Sequence, residues 1–257
     1  MRAQANSCSG VQLVLFPLLL LAALQFHGCT SQGLPIVTPS DTTQVLQFGD
    51  EIELNCSFPS AVNYTWSVEE DPDFEETSQN LTISYEDPSD AMDGGTYSCT
   101  ATIQENRNAT SEPIFIIFVP IFTLQPSPVS ADIGDPNVTL TCNATGFPAP
   151  NITWVRLPSN DLNESMILDL YNSDELYTID DDSMISFSTD SDTDSSSILT
   201  FDLIENDDFG YYACIAMQSN DSLMGEMETL VASNISTVTG MSQYLVLTVC
   251  KLWHPKS

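Results

Sequence analysis

Basic side chains are nearly missing from this 257-residue chain: five Lys and Arg stand against 36 Asp and Glu, a formal net charge of −31. Nucleic acid, anionic lipid and heparin-like polysaccharide are gripped by clustered Lys and Arg, so none of them is expected as a partner. Histidine is as scarce, with only His27 and His254 present, and a Ser-His-Asp or Cys-His apparatus therefore has no sensibly placed base. Nothing sets two carboxylates across a cleft for glycoside hydrolysis. The chain is expected to be no enzyme and to need no cofactor or metal. Long apolar runs are also lacking. Residues 11–24 form the longest, broken by Gln12 and Pro17, and fall short of the roughly 20 residues that cross a bilayer.

What is present begins with a leader. Arg2 supplies a positive start, residues 11–24 an apolar stretch, and Ser31 and Gly33 a small-residue cleavage region, so residues 1–33 read as a signal peptide. Its removal takes Arg2 and no acid, making the mature chain one unit more negative. Seven cysteines stand at positions 8, 29, 56, 99, 142, 214 and 250, and cleavage would remove the first two. In a secreted chain, cysteines within strand-like segments favour disulfides over metal thiolates.

The chain repeats itself. Glu51-Ile52-Glu53-Leu54-Asn55-Cys56 alternates polar and apolar residues, as does Asn137-Val138-Thr139-Leu140-Thr141-Cys142, and period-two alternation predicts half-buried strands. Gly49 and Gly134 precede the two segments, and Trp66 and Trp154 follow them. Each unit closes on one pattern, Asp93-Gly94-Gly95-Thr96-Tyr97-Ser98-Cys99 and Asp208-Phe209-Gly210-Tyr211-Tyr212-Ala213-Cys214, both fitting D-x-G-x-Y-x-C. Final strands are expected near residues 114–119 and 244–249.

Cys, then Trp, then D-x-G-x-Y-x-C, twice in tandem, resembles the immunoglobulin superfamily over nearly the whole mature chain. The resemblance implies an all-β fold of two tandem immunoglobulin-like Greek-key β-sandwiches, residues 34–118 and 119–250, with a tail at 251–257. Val119-Pro120-Ile121-Phe122 and Gly146-Phe147-Pro148-Ala149-Pro150 resemble segments of I-set domains, so the second domain reads as I-set-like and the first as a short C2-like or I-like sandwich. It further implies that Cys56 pairs with Cys99 and Cys142 with Cys214 between sheets, with Trp66 and Trp154 packed against the bridges. Tyr97 and Tyr212 would be tyrosine-corner residues bonding back to the main chain.

Departures from that pattern carry the functional questions. Only 14 residues separate Trp66 from Leu81, too few for two extra edge strands, whereas 44 separate Trp154 from Leu199. The longer interval is rich in Asp and Glu and reads as an acidic insert around C′ and D strands. Residues 218–240 read as a long F–G loop. Either extension could carry recognition or be decoration. Asp190-Ser191-Asp192-Thr193-Asp194 begins like an EF-hand loop, but Ser195 replaces the turn glycine and Phe201 the bidentate Glu, so it reads as a solvated acidic loop, as does Asp180-Asp181-Asp182.

Ten N-x-S/T sequons, at Asn55, Asn63, Asn80, Asn108, Asn137, Asn143, Asn151, Asn163, Asn220 and Asn234, exceed the roughly three expected by chance from this composition and predict a heavily glycosylated surface. Alternation points Asn55 and Asn143 outward and accessible. Cys250 would follow the last strand directly. An intermolecular disulfide giving a covalent dimer, a capped or buried thiol, and pairing with a retained Cys29 are all open to it. The leading functional expectation is a secreted or surface-associated recognition or adhesion module with an extracellular protein partner. The ligand-binding ectodomain of a signalling receptor, such as a receptor tyrosine kinase, and a matrix glycoprotein are the alternatives.

Overall fold

Alternation along each strand decides which side chains enter the interior. In the computed structural model, which describes residues 33–104, 107–180, 184–189, 191–219 and 228–240, the first unit comprises β1 (Ile36–Thr38), β2 (Thr43–Leu46), β3 (Glu51–Ser57), β4 (Ala61–Val68), β5 (Asn80–Ser84), β6 (Gly95–Ile103), β7 (Arg107–Thr110) and β8 (Ile114–Leu124). Along β3, Leu54 and Cys56 are fully buried while Glu51 and Glu53 are exposed. Along β6, Tyr97, Cys99, Ala101 and Ile103 point inward. β1, β3 and β5 form one sheet, and β4, β6 and β8, joined by β2 and β7, form the other.

The second unit comprises β9 (Val129–Ala131), β10 (Pro136–Phe147), β11 (Asn151–Leu157), α1 (Glu164–Asn172), β12 (Tyr177–Ile179), β13 (Ile185–Thr189), β14 (Asp194–Leu203), β15 (Gly210–Ser219), β16 (Glu228–Ala232) and β17 (Ser236–Gly240). Its sheets run β13-β14-β10-β8 and β12-β11-β15-β17-β9, with β16 also on β15. The outer strands β9 and β17 pair in parallel, as β2 and β8 do in the first unit. Two β-sandwiches in tandem therefore make up the described chain.

Cys56 is joined to Cys99 and Cys142 to Cys214, with Cα atoms 6.4 and 6.7 Å apart, within the span a disulfide bridges. Trp66 and Trp154 are fully buried in the same cores. The Trp154 indole N–H donates to Ser197 Oγ at 3.0 Å, whereas that of Trp66 meets no acceptor among the described residues. The Tyr97 hydroxyl donates to the Asp93 carbonyl at 2.6 Å and that of Tyr212 to the Asp208 carbonyl at 2.7 Å. Burial raises both phenols above their ordinary range, with Asp93 adding to the rise at Tyr97 and Arg156 opposing it at Tyr212.

Two sequence expectations are corrected. Within the segment expected as an F–G loop, β16 and β17 both pair with β15; the strand expected at residues 244–249 lies outside the described residues. Much of the expected F–G loop is thereby strand, and Cys250 lies ten residues beyond β17. Both sandwiches break this edge at a serine. The Cys99 N–H donates to Ser111 Oγ and the Cys214 N–H to Ser233 Oγ, each at 3.0 Å. Those hydroxyls satisfy backbone donors where the ladder is interrupted.

The second correction concerns the acidic insert. β12 and β13 extend the two sheets as C′ and D strands would, but α1 lies between β11 and β12 and the sequence reading did not anticipate it. Asn163 caps it, its Oδ1 accepting from the Met166 N–H at 3.0 Å. Ile167 is buried against Val155, Leu157, Ala213, Ile215 and Ala232 on the outer face of the second sheet. This is a third layer and a separate small core. Capping substitutions should measure its hold on the sheet. Asn163→Ala is expected to cost about 1 kcal/mol, and Asn163→Asp, which keeps an acceptor at a helix N-terminus, to cost much less. Both remove the sequon, so thermal melts comparing the two separate capping from any glycan effect.

The expected domain boundary lies at residues 118/119. It falls inside β8, which pairs with β6 of the first sandwich and then with β10 of the second. One unbroken strand serves both units.

Candidate functional site

Around β8 the two sandwiches interlock. Phe147, at the end of β10, is buried within the first sandwich's core, its ring centroid 6.0 Å from that of Phe115. Gly94 lies against that ring, and a Cβ there would stand 2.2 Å from Phe147 Cγ, closer than any side chain tolerates. Gln218, on β15, is buried. Its amide nitrogen donates to the carbonyls of Phe118 at 3.0 Å and Pro148 at 2.6 Å, and its Oε1 accepts from Thr229 at 2.8 Å. A glutamine satisfied on three sides thus ties β8 to the loop after β10. Buried polar groups held this way specify one arrangement of their neighbours.

Beside this joint opens a cleft of about 370 Å³. Val68, Phe74, Tyr97 and Phe147 supply apolar lining. Glu70, Asp71 and Asp93 come from the first sandwich, and Asp192 and Asp194 from the second. Met92, largely exposed, stands at the mouth. Several acids are already engaged. Glu70 accepts from the Thr96 N–H at 2.6 Å and from its hydroxyl at 2.9 Å, Asp71 from the Asp73 N–H at 3.1 Å, and Asp194 from Thr145 and Ser191. The carboxylates of Asp93 and Asp192 accept no hydrogen bond from another described residue. Arg156 is committed elsewhere, donating to the Phe209 carbonyl at 3.0 Å.

Burial, with a smaller contribution from Asp90, raises the Asp93 carboxyl above its ordinary range. The fold thus favours the protonated form more than the unfolded chain does. Its contribution to stability is present below the usual carboxylate range and is lost as pH rises through the raised value. Asp93→Asn is therefore expected to stabilise the protein at pH 7, by no more than about 1 kcal/mol for so solvent-screened a group, and to make little difference near pH 3. Melting curves at the two pH values check this. The Asp190-Ser191-Asp192-Thr193-Asp194 segment, read from sequence as a solvated acidic loop, thus contributes residues 191–194 to a cleft wall.

The sequon asparagines fall on other surfaces. Asn63 and Asn108 both register with Thr102, on either side of β6, and both are exposed on the outer face of that sheet. Asn55 and Asn80 are direct partners on the opposite sheet, where the Asn55 amide donates to Asn80. Asn143 accepts from Ser196 at 2.9 Å. Asn55 and Asn143 face outward as expected but are half-buried and hydrogen-bonded, less accessible than alternation alone implied. Asn137, Asn151, Asn163 and Asn234 are exposed, and Asn220 lies outside the described residues. None of the described ones lines the cleft. The outer face of β11 and β15, open in an ordinary two-layer sandwich, is occupied by α1.

Sequence reasoning named Tyr97, here both corner residue and cleft wall, but missed Phe74, Met92, Phe147 and Gln218. Gly146-Phe147-Pro148 was visible as a loop motif, yet nothing local signals that its aromatic enters another domain.

Comparison with known proteins agrees with this architecture. Two family models, each described as an immunoglobulin domain, match residues 34–116 and 119–217. Human hemicentin-1 is 38% identical over 66 residues, covering 26% of this chain and 1% of the relative. The irregular chiasm C-roughest protein of Drosophila melanogaster is 27% identical over 118 residues, 43% of this chain and 14% of the relative. The chain thus spans only a small part of the length of these relatives. Among solved structures, one of Dpr2 Ig1-Ig2 in complex with DIP-Theta Ig1-Ig3 aligns over 80% of this chain and 65% of the other, at 21% identity and a TM-score of 0.41, a likeness of fold alone. With two matched domains in tandem, each a disulfide-pinned sandwich with its tryptophan and tyrosine corner in place, the chain belongs to the immunoglobulin superfamily.

Proposed function

We propose that this chain is an extracellular recognition or adhesion glycoprotein that binds another protein and performs no catalysis. The observation that carries the reading is the joint. Phe147 and Gln218 hold two sandwiches around one strand, so surfaces from both domains are presented in a fixed relation, which lowers the ordering cost of binding. Supporting it, α1 closes one sheet face of the second sandwich, and glycans on Asn63 and Asn108 would cover the outer face of β4, β6 and β7. Residues 1–33 act in this reading as a secretion signal, the sequons carry glycans, and neither nucleic acid nor heparin is a partner. Cys250 is a candidate for an intermolecular bridge.

Expression of the full chain in a secretory cell line tests this. The protein is expected in the medium, with mobility increased by peptide-N-glycosidase, and the purified glycoprotein is expected to label cells saturably and to be displaced by excess unlabelled protein. Protein retained inside cells, or labelling that excess cannot displace, would overturn the proposal. Gels with and without reductant report on Cys250, and an unchanged monomer band ends the dimer reading.

A further inference from the structure

We propose that the acid-rimmed cleft at the joint receives an arginine side chain from an exposed segment of the partner protein, its methylene stem on the apolar lining and its guanidinium among the carboxylates of Asp93 and Asp192. The inference rests on the protein-binding reading above and names what that binding recognises.

Shape and chemistry point the same way. A volume of about 370 Å³ is at the small end of ligand pockets and suits one long side chain. Arginine lays an apolar stem along hydrophobic surface while its charged head stays among polar groups, which is the division found here between Phe74 and Phe147 on one side and the acids on the other. The carboxylates also come from both domains, and a planar guanidinium with five donors can bridge separated acceptors where a compact ammonium cannot. A bare metal ion fits less well, because among the described residues no three acidic, histidine or cysteine side chains converge as a metal site requires.

Asp93 adds a direct argument. It has Asp90 as a like-charged neighbour, and among the described residues no basic side chain lines the cleft. A guest cation would supply the counter-charge that the fold does not. At longer range, a chain with five basic residues and 36 acidic ones attracts basic partners and speeds their encounter.

The test uses the secreted full chain and acetyl-Leu-Arg-Leu-amide, with the citrulline peptide as a neutral isostere, titrated by calorimetry or NMR in low salt. The arginine peptide is expected to bind and the citrulline peptide to bind at least about tenfold more weakly. The double variant D93N/D192N is expected to lose the arginine preference while melting no lower than the parent, since Asp93→Asn removes a carboxylate whose charged form the fold disfavours and that lies beside Asp90. Equal binding of the two peptides, an unaffected double variant, or displacement of the peptide by millimolar calcium would each overturn the cleft assignment. Cell labelling separates the two proposals. Labelling by D93N/D192N as strong as by the parent overturns the cleft and leaves the recognition function standing, whereas an arginine-selective chain that labels no cell supports the cleft and sinks the function.

Discussion

Replacing Phe147 with alanine is expected to destabilise the first sandwich, to which the residue does not belong in sequence, by about 3 kcal/mol, the low end for large-to-small changes at aromatic core positions. Its ring is 8% exposed and counted in the same core as Leu54, Trp66, Phe115 and Phe118. Truncation leaves a cavity that two β-sheets cannot close without shifting β8. Hydrogen exchange should show protection falling across β2, β6 and β8 rather than only in the loop after β10. Unchanged exchange in residues 33–104 would show that the ring does not contribute to that core. Gly94→Ala approaches the same contact from the other side. Its Cβ would collide with the Phe147 ring, so it should be costly alone and nearly harmless once Phe147 is alanine. That non-additivity is the signature of two residues in direct contact.

Removing one disulfide should have an effect of similar size. Cys142→Ala with Cys214→Ala opens a bridge between residues 72 apart, and Cys56→Ala with Cys99→Ala one between residues 43 apart. The chain-entropy model assigns each about 4 kcal/mol, because the bridge restricts the unfolded chain more than the folded one. That is a large part of the 5–15 kcal/mol by which domains are ordinarily stable. Urea titrations of the paired-alanine variants should show the midpoint falling in proportion. Because the slope with denaturant follows the surface exposed on unfolding, a steeper slope would indicate a looser unfolded state now free of its crosslink. A midpoint within error of the parent would mean that the sandwich gains nothing from the bridge.

The features legible in the sequence share one property, that their signal is local. Alternation over six or seven residues is enough to predict β3 and β10, because a strand turns successive side chains to opposite faces wherever it lies. Tyr97 and Tyr212 were legible for the same reason, since each reaches a carbonyl only four residues upstream. The helix α1 could have been found this way, for Asn163 stands where a cap belongs and Ile167, Leu168, Leu170 and Tyr171 have helical spacing. Attention to its acids and to the strands expected between Trp154 and Leu199 obscured it.

The last strand shows where local signal runs out. Residues 228–240 and 244–249 both carry apolar and β-branched residues, and either could be a strand. Tertiary pairing makes the former strand along β15, with Val238 buried, Ser236 fully enclosed and Ser233 accepting from the Cys214 N–H, and residues 244–249 lie outside the described residues.

The amino-acid order alone determined that this chain is two repeated, alternating, cysteine-bearing units of strongly acidic character, since strand periodicity and composition are carried by neighbouring residues. Tertiary structure decided that Phe147 fills the other unit's core, that Gln218 ties the units together, and that acids from residues 70–93 and 192–194 share one cleft. Those partners are distant along the chain, and their association is set by the single strand β8 passing from one sandwich into the next.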